Sequence, residues 1–512
     1  MQYRQRKLHL SVTETRRLLI SRSKLSFNCS IGGQRIPSRI RRLLVDQHEA
    51  PLASAAEAYL ADDRVTPFTT PGHKRAPHLA DGVLLHDLPL STGADDLHLT
   101  GDVLGRAERL AAELWGADLC RFCVNGSTQG NQALVLAAGR PGSRVVAARN
   151  LHKSLFAAFV LAGVEPVWVR PAVDEETGLP LALPAERVAE ALRGVEDPSA
   201  VVLVEPSYVG VVSNVAAIAD EARAAGVPLL VDQAWGAHFG FHAALPPNTL
   251  ELGADGMVTS AHKTLASFTQ GAYLFSRAGA LDSGRLGEAF ELLNTTSVAA
   301  AILASLDRTR RLMALRGGEL LAETLRLAGA FREALRDVPG LRILENDDPT
   351  KLVLVLAGTG ADGLEVEQDL WAEGIRLELA NRDTLVPLLT IGDTERSVRK
   401  LIDALLRSLE LRHGEPRRPG PASAVWSVEP ESAMTPREAF FAARETVPAE
   451  QAAGRIAAET IAPYPPGIPA IAPGEVIRAP LLEALREAAA DGTRIAYCAD
   501  STLATVQVVA PA

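Results

Sequence analysis

Three groups of residues in this chain carry types and spacings that can do chemistry. The stretch "SAHKTLASFTQGAYLF" (260–275) sets Lys263 directly after His262, at the end of a short apolar run. A lysine there is a solvated charge, an ion-pair partner, or an amine held in a pocket for Schiff-base chemistry. In "VNGSTQGNQALVLAA" (124–138), Gly126, Ser127, Thr128 and Gly130 open into an Ala/Leu helix. Backbone N–H groups and hydroxyls then converge on the positive end of a helix, which suits a phosphate. The same residues also serve as ordinary capping. The stretch is neither a GK[ST] P-loop nor GxGxxG. Between the two groups, Asp232 ends the apolar run of "PLLVDQAWGAHFGF". Taken alone it is turn chemistry; following the loop and preceding the lysine, it is the middle member of an ordered set.

One cofactor explains that order. Pyridoxal 5'-phosphate (PLP) requires a phosphate cup, a carboxylate to keep its pyridine nitrogen protonated, a lysine to hold its aldehyde as an imine, and a flat group against its ring.

The elements that must position these residues alternate. "SRVVAARN", "EPVWVRP", "SAVVLVEPSYVG", "PLLVDQAW" and "GMVTSAHK" are β-branched runs separated by Ala-rich amphipathic stretches such as "VAAIADEARAAG". This predicts an α/β fold with a mostly parallel sheet buried on both faces, its ligands gathered beyond the carboxyl ends of the strands. A long helix with a Gly-Gly interruption is expected around 300–335. A smaller α+β region follows, with strands in "LRILEN", "KLVLVLA" and "GIRLELANRDTLVPLLTIG" around the helix "DGLEVEQDLWAEG". "RHGEPRRPGPAS" reads as a linker. The expected divisions are a basic extension at 1–45, an arm and large cofactor-binding domain at 46–310, a small α+β domain at 311–412 and a C-terminal module at 413–512.

Charge sets further bounds. Residues 1–45 carry eleven Lys or Arg and one acid, Glu14, leaving 41 basic and 61 acidic groups in the rest. A body this acidic repels nucleic-acid backbones. The head reads as a transit-like peptide or as an upstream extension outside the folded protein, and the second reading is favoured. No apolar run reaches the roughly 20 residues of a membrane span. Four cysteines in 512 residues make no disulfide framework and point to a reducing, cytoplasmic compartment. Cys120 and Cys123 form a lone CxxC without partners for zinc, so no metal site is expected and both read as buried strand cysteines.

The stretches "TPFTTPGHK", "DDLHLTGD", "VNGSTQGN", "ARNLHKS", "DQAWGAHF", "SAHKTLASFTQGAYL" and "PYPPGIPAIAPGE", in this order over residues of about 65 to 505, resemble the Orn/Lys/Arg decarboxylase family. These are PLP enzymes of the aspartate aminotransferase fold type. The resemblance implies that Lys263 carries the cofactor and Asp232 pairs with its pyridine nitrogen. Gly126, Ser127, Thr128, Ser260 and His262 would surround the phosphate, His152 would stack on the ring, and Ala234 and Trp235 would line the same pocket. Trp235 departs from the "DEAHGAH" pattern of many relatives, and His238 is a candidate to take over the missing histidine's work.

The implied reaction is decarboxylation of arginine, lysine or ornithine to the amine and CO2, in polyamine metabolism, with Lys263 or His262 returning a proton. Asp95, Asp96 and Glu475 are candidates for recognising the substrate's cationic end; each also reads as turn or cap chemistry. "PGHK" (71–74) reaches an active site or shapes an arm. A homodimer with its active site near the interface is implied. Residues 1–65 leave no room for the receiver-like domain of the large inducible members. The alternatives are another PLP enzyme such as an aminotransferase, for which Arg376 and Arg382 stand in no recognisable carboxylate-clamp motif, and an inactive regulatory homologue.

Overall fold

The computed structural model describes residues 30–31, 34–35, 46–66, 69–76, 78–79, 82–88, 102–174, 178–417, 425, 428, 431–464, 467–490 and 492–511. Two compact units divide between Asp46 and Gln47. In the first, the described residues pair as a short antiparallel hairpin, Ser30–Ile31 with Gln34–Arg35. Everything below concerns the second.

Its centre is a seven-stranded sheet of β1 (Leu119–Cys123), β2 (Arg144–Ala148), β3 (Glu165–Val169), β4 (Pro198–Val204), β5 (Leu229–Asp232), β6 (Gly256–Thr259) and β7 (Ala272–Ser276), in the order β1-β7-β6-β5-β4-β2-β3. The strands from β6 through β3 run parallel, whereas β7 runs antiparallel to both its neighbours, β6 and β1. The expected mostly parallel sheet is therefore present. Every residue of β5, β6 and β7 is buried, which is why these runs are continuously apolar rather than alternating.

Helices cover both faces. α1 (Pro51–Ala61) and α2 (Val103–Trp115) pack with Trp115, Tyr273 and Phe275 on one side. α3 (Gly126–Ala138), α4 (Lys153–Ala162), α5 (Ala185–Gly194) and α6 (Val215–Ala224) bury Leu134, Phe159, Val188 and Ile218 on the other.

The sheet's register delivers the chemistry to one edge. Val204 pairs with Asp232 and Asp232 with Val258, so the carboxyl ends of β4, β5 and β6 lie side by side. The loops leaving β1 and β2 open at that edge too, and antiparallel β7 starts there. Gly126 N accordingly donates to the carbonyl of Gln270 at 2.8 Å.

α7 (Ala300–Leu335) runs without a break through Gly317 and Gly318, so the expected interruption is absent. Tertiary packing on both sides outweighs the modest helix propensity of two glycines. Its first half packs in the large-domain core through Leu303 and Met313. Its second half packs through Leu327, Phe331 and Leu335 against the small domain. Position 310 therefore lies inside one rigid element. The small domain is a four-stranded antiparallel sheet, β8 (Arg342–Ile343), β9 (Leu354–Val355), β10 (Leu379–Ala380) and β11 (Thr384–Val386), in the order β8-β9-β11-β10, with α8 (Gly363–Ala372) and α9 (Glu395–Arg412). A C-terminal module follows with a core of its own around Ile461, Ile471, Leu485 and Val506. Among the described residues, no helix is long and apolar enough to cross a membrane.

Candidate active site

A cavity of about 330 Å³ opens at the carboxyl edge of the sheet. The size suits a cofactor or small substrate. Its wall contains Gly126, Ser127, Thr128, His152, Asp232, Ala234, Trp235, Ser260, His262 and Lys263. Four separate strand exits are thus brought to one space.

The phosphate end is built by close packing. Gly126 has φ +67°, the left-handed region that glycine enters without strain, and a Cβ on Gly130 would stand 2.9 Å from both Cγ atoms of Val258. α3 therefore sits hard against β6, and Ser260 Oγ donates to Ser127 Oγ at 3.0 Å. Asn125, at the N-cap, makes no side-chain hydrogen bond to the helix. The first-turn N–H groups of a thirteen-residue helix are thus left without a side-chain cap beside two hydroxyls. Cys120 and Cys123 lie buried in β1, with burial raising both thiols.

Asp232 is 3% exposed and fixed at both oxygens: Ala234 N donates to Oδ1 at 3.1 Å and Asn131 Nδ2 to Oδ2 at 2.7 Å. Asn131 Nδ2 also donates to Ser154 Oγ at 3.2 Å, and Ser154 Oγ lies 2.9 Å from His152 Nδ1. His152 caps α4, with Nδ1 accepting from Ser154 N. That arrangement puts the neutral ring's proton on Nε2. Burial lowers the His152 pKa, opposed by Asp232 and assisted by Lys263 and Lys153.

Lys263 Nζ makes no hydrogen bond among the described residues and stands 4.1 Å from the centroid of Trp235. Burial pulls its pKa below the ordinary lysine value, against the opposing fields of Asp232 and Glu378. This is the condition a nucleophilic amine needs. His262 Nδ1 lies 3.0 Å from the Gly271 carbonyl, so the neutral ring donates there and Nε2 keeps its lone pair. Burial lowers His262 as well.

These residues fit PLP. An uncapped helix end with two hydroxyls, a buried and doubly anchored carboxylate, and a desolvated amine meet in one cavity of suitable volume.

Two decarboxylase family models match the chain: the Orn/Lys/Arg decarboxylase major domain over residues 50–347 and the C-terminal domain over residues 421–492. The chain belongs to the Orn/Lys/Arg decarboxylase family. Its reaction is therefore the decarboxylation of a basic amino acid. An arginine decarboxylase of Halalkalibacterium halodurans is 33% identical over 485 residues, covering 90% of this chain and 98% of that one. The lysine decarboxylase of Francisella novicida superposes with a TM-score of 0.77 at 20% identity, covering 90% of this chain and 81% of that one. A serine palmitoyltransferase solved with PLP superposes at 0.50 with 16% identity, covering 70% and 84%. The decarboxylase architecture thus extends over nearly the whole chain, on the aspartate aminotransferase type of fold.

Of the three predicted substrate residues, only Glu475 is placed. Asp95 and Asp96 lie outside the described residues. Glu475 does not line the cavity: its Oε2 accepts from Arg149 Nη2 at 2.9 Å and from Ala472 N at 2.8 Å, deep under the C-terminal module. His238 does not line the cavity either: it is buried with Nε2 3.1 Å from Asp348 Oδ2.

Several residues of the site were given no role in the sequence, although Asn131 and Ile468 stand inside the quoted stretches "VNGSTQGN" and "PYPPGIPAIAPGE". Asn131 was legible only as a polar residue inside an apolar helix. Tyr208 lines the cavity, and Ile468 reaches it from the C-terminal module. Behind the wall, Lys351 is 1% exposed, and its Nζ sits 3.5 Å from the Trp235 centroid without a hydrogen-bond partner.

Proposed function

We propose that this chain decarboxylates arginine, using PLP held covalently at Lys263. The convergence of Lys263, Asp232, Ser127 and Ser260 on one cavity carries the cofactor assignment. Arginine is favoured over lysine and ornithine by the arginine decarboxylase that matches nearly end to end. The product amine would feed polyamine synthesis in the cytoplasm.

The bound cofactor supplies an electron sink for the pair left behind when the bond from Cα to the carboxylate breaks. The protein does the rest. Ser127, Ser260 and the first turn of α3 hold the phosphate, with Thr128 and His262 at its margin. Asp232, immobilised by Asn131 and Ala234, keeps a proton on the ring nitrogen, where the negative charge must be spread. His152, oriented through Ser154, forms the wall against the ring, and Ala234 lines the cavity with it. Lys263 and His262 both line the cavity and are the groups that can return a proton to Cα.

The domain divisions expected at residues 46, 311 and 413 form part of this reading, with α7 serving as the joint between the large and small domains. A two-fold dimer with its interface near the cavity completes it. Phe268, 45% exposed, directly precedes the lining residues Thr269 and Gln270, an apolar surface beside the cavity mouth that a second subunit would cover.

Release of CO2 from arginine, lysine and ornithine, each with PLP supplied, tests the function. Arginine is expected to turn over fastest. Borohydride treatment of the loaded protein followed by peptide mass mapping should place the label on Lys263. A label elsewhere, or amino transfer to a keto acid without CO2, would overturn the reading.

A further inference from the structure

The cavity wall opposite the phosphate end is aromatic and already attracts cations. Trp235 and Tyr208 both line the cavity and meet edge to face with centroids 5.5 Å apart. Two amines crowd the indole: Lys263 Nζ at 4.1 Å from its centroid and Lys351 Nζ at 3.5 Å, the latter also 5.0 Å from the Tyr208 ring. Both indole distances are well inside the roughly 6 Å over which a ring quadrupole holds a cation.

The Lys351 amine is buried, without a hydrogen-bond partner, and screened from the cavity by these rings. The acids facing it are Asp348 and Glu378, and Asp348 is already committed to His238 and Thr350. Nothing but the aromatic faces stabilises its charged form at short range. Glu378, exposed at the start of β10, makes its field felt at Lys263, Lys351 and Tyr208 alike. A carboxylate whose field reaches these groups and two aromatic rings in the cavity wall suit a cation.

We propose that Trp235, with Tyr208 beside it, is the subsite for the substrate's cationic end and so a specificity-determining residue of this decarboxylase. The inference rests on the reading that Lys263 is the amine taken by the cofactor: once its nitrogen is engaged there, its charge no longer occupies the aromatic wall, which is left to the cationic end of the substrate. A planar guanidinium stacks on an indole better than an ammonium does. Lys351 does not oppose this as a fixed charge would, because burial brings its pKa down to about 7 and its proton is readily given up. Glu475, committed to Arg149, does not line this cavity.

The test compares two ligands that differ only at the far end: 4-guanidinobutylamine and its uncharged urea analogue, 4-ureidobutylamine. Their dissociation constants are measured by calorimetry on the cofactor-loaded protein, in wild type, Trp235→Leu and Trp235→Phe. The preference of wild type for the charged ligand should fall about tenfold in Trp235→Leu and be largely retained in Trp235→Phe, where a ring remains. Equal loss of both ligands, or an unchanged preference in Trp235→Leu, overturns the proposal. Should Trp235→Leu not fold, Tyr208→Leu gives the same comparison, with loss of preference again expected and its persistence again fatal. If the substrate proves to be lysine, 1,5-diaminopentane against 1-aminopentane replaces the pair. Failure of the cofactor reading shows separately, as absence of the borohydride label on Lys263 in wild type.

Discussion

Two buried charged constellations lie close together in the chain and are built on opposite principles. Arg149 and Glu475 are each about 5% exposed at the side chain and pair through Nη2 and Oε2 at 2.9 Å. The guanidinium also donates to the carbonyls of Pro469 and Ala470, and it lies over the rings of Phe156 and Trp168 at 5.4 and 5.1 Å. A few residues away, past Asn150 and His152, the cavity holds Lys263 with no hydrogen bond among the described residues and, behind its wall, Lys351 with none at all. The guanidinium that holds architecture is met by acceptors from several directions. A charge left short of partners is kept for something that arrives. Even this pair is costly, since burial raises the Glu475 pKa against the pull of Arg149 and Glu475 Oε1 finds no hydrogen-bond partner among the described residues. The pair therefore docks the C-terminal module specifically rather than adding much net stability.

The largest effect should come from the cavity. Asp232→Asn keeps the shape and the contact with Asn131 but removes the charge that holds the ring proton. We expect kcat to fall about 10²- to 10³-fold, with substrate affinity little changed and a melting temperature lowered only by the one contact, to Ala234 N, that an amide facing two donors gives up. A drop in affinity that accounts for the whole loss would mean that Asp232 serves binding. Glu475→Ala should invert that pattern. It leaves a buried guanidinium without its carboxylate, at a cost of about 3–5 kcal/mol. Chemical denaturation should show that loss, while the folded fraction keeps its kcat. Replacing both partners, Arg149→Met with Glu475→Leu, should restore most of the stability, because an apolar pair of similar size avoids the desolvation. If Glu475→Ala instead raises KM with stability intact, Glu475 belongs to the substrate after all.

The same contrast explains what could be read from the sequence. Lys263, Asp232 and the loop at 126–130 were legible because each ends or follows a strand and the strands are parallel, so their loops must share an edge. The inner parallel strands β4, β5 and β6 were legible because burial on both faces leaves continuous apolar runs. β7 was harder, since its antiparallel course has no separate signature in "GAYLF". Glu475 could not be assigned from the chain alone, because its partner lies 326 residues earlier, and an acid after a Pro-Gly turn looks the same whether it meets a substrate or an arginine. Lys351 carried a faint signal as a charge entering the apolar run "KLVLVLA", and Asn131 as an amide in an Ala/Leu helix. Both depend on side chains meeting across domains or turns, which spacing does not encode.

A third buried carboxyl sharpens the comparison and gives the smallest effect. Glu205 leaves β4 just after the cavity residue Val204, 2% exposed, and its Oε2 accepts from Ser213 N at 3.0 Å. It has neither an arginine, as Glu475 has, nor a place in the cavity, as Asp232 has. Burial, with a smaller contribution from Asp347, pushes its pKa up from 4.5 to about 7. A folded-state pKa above the unfolded one means that the native state binds the proton more tightly. The stability this contributes is fully present below about pH 4.5 and is lost as pH rises through about 7, up to about 3 kcal/mol in all. Glu205→Gln keeps an acceptor for Ser213 and cannot ionise. Its denaturation midpoint should match the wild type near pH 5 and exceed it increasingly from pH 6 to 8. Parallel stability curves for the two proteins over that range would mean that Glu205 is ionised in the fold and that some cation compensates it, placing it with Glu475 rather than between the two cases.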